Sequence, residues 1–98
     1  MVSDGTTVTI SSNLSYDTDV IIKIESGGIL RFEGKLNLTI NSKIISNGGS
    51  VISVGGGNSD KIKIGGVAIW DGKMGDVVGN FTISIGGILP VVWGDINV

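Results

Sequence analysis

The chain has 98 residues, 17 of them glycine, with one proline, no cysteine and no histidine, and its net charge is −2. That length fits one small domain, and an apolar share of 41% with so little net charge excludes a disordered chain. The missing residue types exclude disulfides, thiolate nucleophiles and zinc–sulfur sites and remove the commonest general base, while the mildly acidic balance argues against nucleic acid as a partner.

In chain order, short alternating segments come first. Val8-Thr9-Ile10, Ile22-Lys23-Ile24, Leu36-Asn37-Leu38-Thr39-Ile40, Ile62-Lys63-Ile64 and Phe81-Thr82-Ile83-Ser84-Ile85 each place apolar residues at every second position. This period predicts half-buried strands, and the abundance of β-branched Ile and Val agrees with it. Clusters of Gly, Asn, Asp and Ser separate them, which is turn chemistry. No helix is expected, and no apolar run is long enough to cross a membrane as one.

Glycine is organised in pairs. Gly27-Gly28, Gly48-Gly49, Gly65-Gly66 and Gly86-Gly87 each stand between two apolar strands. They recur about every 20 residues, and a repeat of strand, Gly-Gly corner, strand and polar turn has the size of one solenoid coil. Glycine suits such corners because the chain bends there, often through positive φ, and neighbouring coils approach closely. The pattern predicts one domain over 1–98, an all-β single-stranded β-solenoid of four to five coils. The alternative is a β-sandwich or roll in which the Gly-Gly pairs are hairpin turns.

Chemistry is sparse. Some β-helical enzymes cleave polysaccharides with paired carboxylates, and Glu33 and Asp71 both follow an aromatic residue, at Phe32 and Trp70. Acidic residues beside glycine are more simply turn formers, so no catalytic residue and no cofactor is expected. Gly55 to Lys63 approximates a calcium-binding nonapeptide repeat, which makes Asp60 a weak calcium candidate, but only one copy is present. Trp70 and Trp93 form a candidate glycan platform. Phe32 and Trp70 stand at equivalent places after their Gly-Gly pairs, which points instead to an internal aromatic ladder.

The strings TTVTI and VIIKIESGGILRFEGKLNLTINSKIISNGGSVISV resemble the Gly-rich β-helical repeats of secreted surface proteins. Among these is the family named for its eight glycines, and the likeness is strongest to the β-helical regions of large secreted proteins of Bacteroidetes-type bacteria. The tail GGILPVVWGDINV is similar to the phrase that, in those proteins, leads into a type IX secretion sorting domain. The resemblance implies a fragment or module of a secreted protein, located outside the cell or at its surface. These families share a scaffold rather than an activity, so no catalytic residue carries over.

The sequence therefore predicts a non-enzymatic, self-associating structural protein, part of an adhesin, fibre or filament. Its partner would be a second copy, joined end to end or through edge strands, because an uncapped solenoid end exposes unpaired backbone groups. A carbohydrate-binding module with cell-surface polysaccharide as ligand is the alternative, followed by a fragment of a β-helical polysaccharide-degrading enzyme. Neither nucleic acid nor membrane insertion is expected.

Overall fold

The alternating segments are strands because each can bury one face and leave the other in water. The computed structural model describes residues 2–54, 61–72 and 76–90. They hold β1 (Thr7–Ile10), β2 (Leu14–Ser15), β3 (Ile21–Ile24), β4 (Ile29–Phe32), β5 (Leu36–Leu38), β6 (Lys43–Ser53), β7 (Ile62–Ile64), β8 (Val67–Trp70), β9 (Val77–Ser84) and β10 (Gly87–Pro90), with no helix among them. The protein is all-β. Two mixed sheets form, one in the order β1-β4-β6-β9-β10 with β3 also on β6, the other β2-β5-β7-β8. Neither closes into a barrel.

Up to residue 64 the pairing is parallel and in register. Val2 bridges Ile24, and Ile24 pairs with Ser46. Val8 pairs with Leu30 and Leu30 with Val51, while Leu14 pairs with Leu36 and Leu36 with Ile62. The first step has one length at all three places, and it is the same offset of 22 that separates Asn13 from Lys35 and Ser15 from Asn37. The described residues thus pass the same three places three times, once each in about 2–19, 20–41 and the described part of 42–64, which we call tiers. The second step equals the first from Ile24 to Ser46, is shorter by one from Leu30 to Val51, and is longer from Leu36 to Ile62. The shortening lies between Ser46 and Ser50. There β6 continues as strand but carries a bulge between Asn47 and Gly49, with Gly48 at φ 84°, where the first two tiers turn at Ser3–Thr6 and Glu25–Gly28.

After residue 64 the direction reverses. β8 returns antiparallel on β7, and β9 lies antiparallel along most of β6, with β10 folded back on β9. Four to five equivalent coils are therefore not what forms: parallel pairing stops after three tiers. The reason is local. Gly65 and Gly66 both take positive φ, at 60° and 81°, and form a tight reversal between antiparallel strands.

The four Gly-Gly pairs are accordingly of two kinds. Gly27-Gly28 and Gly48-Gly49 stack over one another where consecutive tiers pass. A Cβ on Gly49 would stand 2.8 Å from the Glu25 carbonyl oxygen and 3.0 Å from that of Gly28, and one on Gly28 would stand 2.7 Å from the Val2 oxygen. Gly65-Gly66 and Gly86-Gly87 belong to antiparallel hairpins. The hairpin reading thus fits the second half of the chain, while Gly48-Gly49 lie inside β6 at its bulge.

The core lies between the sheets. Ile24, Leu30, Phe32, Ile44, Val51, Phe81 and Ile83 face Leu36, Leu38, Ile62, Ile64 and Trp70, all 5% exposed or less. Phe32 and Trp70 meet edge to face, ring centroids 5.5 Å apart at 70°. The expected aromatic contact is present, though not by equivalence of coils, because β8 enters antiparallel.

Candidate functional site

The first tier is the place where regular packing is left unfinished. In two columns the second and third tiers are sealed: Leu30 and Val51 are 1% and 0% exposed, and Leu36 and Ile62 are both 0%, while Val2 closes the Ile24 column at 3%. The first-tier members of the same columns, Val8 and Leu14, are 37% and 40% exposed. Tyr16, next inward after Leu14, is exposed as well. Nothing among the described residues stacks on them.

Backbone groups are unfinished there too. The carbonyls of Thr6 and Ile10 accept from the amides of Ile29, Glu33 and Gly34 in the second tier. A strand points successive backbone groups to opposite sides, so Val8 also faces the second tier while Thr7 and Thr9 face away. The amides of Leu14 and Tyr16 donate to the carbonyls of Lys35 and Asn37, at 2.9 and 3.0 Å, which leaves Ser15 facing away. β1 and β2 are the terminal strands of their two sheets. The result is one open end, with the backbone edges of two sheets flanking a half-covered apolar column.

Side chains tie the three tiers to one another, the third to the second at Ser42 and the second to the first at Asp19, Ser15 and Asn13. Ser42, 1% exposed, accepts the Val20 amide at 3.0 Å and shares a 2.7 Å hydrogen bond with the Thr39 hydroxyl. The Thr39 hydroxyl in turn donates to Asp19 at 2.5 Å. The Asn37 amide donates to Ser15 at 3.2 Å, and the Lys35 amide donates to Asn13 Oδ1 at 3.3 Å. These side chains hold β2 and its flanks in place, so the open edge is preorganised.

The opposite end differs. β8 and β10 are its terminal strands, and β10 ends in Pro90, which has no backbone N–H to offer.

The residues singled out in the sequence fall elsewhere. Trp70 is 3% exposed and packs on Phe32, so it is a core residue and not half of a glycan platform. The burial follows from the register shift in the β7–β8 pairing between Ile62 and Lys63, which sets Trp70 opposite the buried Ile62. Trp93 and Asp60 lie outside the described residues. Glu33 is ion-paired with Arg31, its near neighbour in the chain. Among the described residues no three acidic side chains gather around a point where a metal ion would sit, and no helix is long and apolar enough to cross a membrane. The signal that marks the open tier was present in the sequence as the common offset of Thr7–Ile10 from Ile29–Phe32 and of Leu14 from Leu36. Comparison with protein-family models, curated proteins and solved structures gives no match.

Proposed function

We propose that residues 2–64 are three coils of a short β-solenoid, and that the protein is a structural, non-enzymatic module whose first coil takes up a further strand from a partner polypeptide. The observation that carries this reading is the contrast within one column, where Val8 is 37% exposed above a sealed Leu30 and Val51. The equal, in-register steps from the first tier to the second support the solenoid, since each tier repeats the path of the last. The outward backbone groups of Thr7, Thr9 and Ser15 supply the hydrogen bonds that an added strand requires, which is the logic of β-augmentation. Placement outside the cell, in a surface or fibrous assembly, rests on the resemblance of the Gly-rich repeats to those of secreted proteins.

Amide hydrogen exchange tests the open end. In a monomeric sample the Thr7 and Thr9 amides exchange at the rate of exposed groups, while Leu30 and Val51 are protected. Protected Thr7 and Thr9 amides in a monomer would mean that the edge is already covered, and the reading would fall.

A further inference from the structure

The open end carries charge of one sign. Residues 1–22 contain Asp4, Asp17 and Asp19 and no lysine or arginine. All three aspartates are exposed. The second tier, on which the first rests, has the opposite balance, with Lys23, Arg31 and Lys35 against Glu25 and Glu33. Within the stack, then, an acidic tier sits on one whose cations slightly outnumber its acids. A strand added above the first tier would lie about 4.8 Å from it, within reach of rim side chains.

We propose, resting on the strand-accepting reading above, that the partner taken up at this end is an extended polypeptide segment with lysine or arginine at its outward positions and small apolar residues at its inward ones. Paired along β1 the inward residues cover Val8, and along β2 they cover Leu14 and Tyr16, while the cations balance the net negative charge of the first tier. A second copy of the chain, the partner expected from the sequence, fits less well. Head to head it brings the same three aspartates against their equivalents. Head to tail it offers the end where β10 closes on Pro90, which has no backbone N–H to give.

The test uses the full chain and three labelled synthetic peptides, Thr-Lys-Val-Lys-Val-Lys-Thr and its counterparts with Glu or Gln in place of Lys, followed by fluorescence anisotropy. The lysine peptide is expected to bind several-fold tighter than the glutamate peptide at low salt, as attraction to the exposed carboxylates of the first tier would give. The preference should shrink at about 0.5 M salt, where surface charges are screened. The triple variant Asp4→Asn, Asp17→Asn, Asp19→Asn should bind all three peptides alike. Thr9→Pro should lose binding of all three, because it removes one outward N–H and leaves the bonds from Thr6 and Ile10 to the second tier intact. A circular-dichroism melt establishes that this variant is folded, and a lysine peptide N-methylated along one edge asks the same question without altering the protein.

Equal binding of the three peptides to the wild-type chain would overturn the charge selection and leave the strand-accepting edge standing. Failure of every peptide to bind folded protein would overturn the edge itself. A dimer in size-exclusion chromatography that Thr9→Pro disperses would make the occupant a second copy, overturning the basic partner alone.

Discussion

Glycine at position 49 and glycine at position 66 are the same residue under different constraints. Gly49 has an ordinary φ but no room: a Cβ there would run into the Ile24 side chain and stand 2.8 Å from the Glu25 carbonyl oxygen. Gly66 has room, with nothing within 4 Å of a Cβ, but takes φ of 81°. Gly49→Ala must push two tiers apart at their closest backbone approach, an overpacking cost of about 1–3 kcal/mol. Urea denaturation measures it, and an unchanged midpoint would argue against close stacking at this bend. Both glycines appear in the sequence as members of equivalent pairs. What separates them is the direction of the strand that follows, a tertiary choice to which a Gly-Gly string is indifferent, since it suits a bend and a two-residue hairpin equally.

At the scale of elements, alternation was a sufficient guide to where strands form. Each of the five alternating segments named from sequence overlaps a strand, although Leu36–Ile40 and Phe81–Ile85 run past the ends of β5 and β9. Their partners were less legible. Parallel stacking of β1, β4 and the second half of β6 follows from a nearly constant offset that the less regular Gly-Gly spacing obscured. The antiparallel entry of β8 and β9 left no such offset. The hairpin between β7 and β8 should respond to its turn alone: Gly66→Ala strains a left-handed position and costs about 1–2 kcal/mol, without any steric clash. Gly66→Asn should recover most of that loss in the same thermal melts, because asparagine tolerates this conformation. Equal losses for both substitutions would point to something other than backbone strain at this turn.

For the whole molecule, the decisive contact joins the two sheets. Trp70 comes from the sheet of β2, β5 and β7, and Phe32 from the sheet of β1, β4 and β6. Trp70→Ala empties the middle of the core at a cost of about 3–5 kcal/mol, a large part of the stability expected of a domain this size. Chemical denaturation should show it. Two sheets meeting over an apolar core was foreseeable from composition, but the burial of Trp70 was not, because an aromatic after a strand reads the same whether it faces sugar or core.

On the solenoid reading proposed above, the stretch from Val20 to Asn41 is one complete coil, since the paired places of the first and second tiers share one offset. A second copy of it spliced in after itself would leave the open end and the closing hairpins as they are. The molecule would grow taller by about 4.8 Å. Lineages that duplicate such a stretch can therefore lengthen the protein one floor at a time without redesigning its base or its roof.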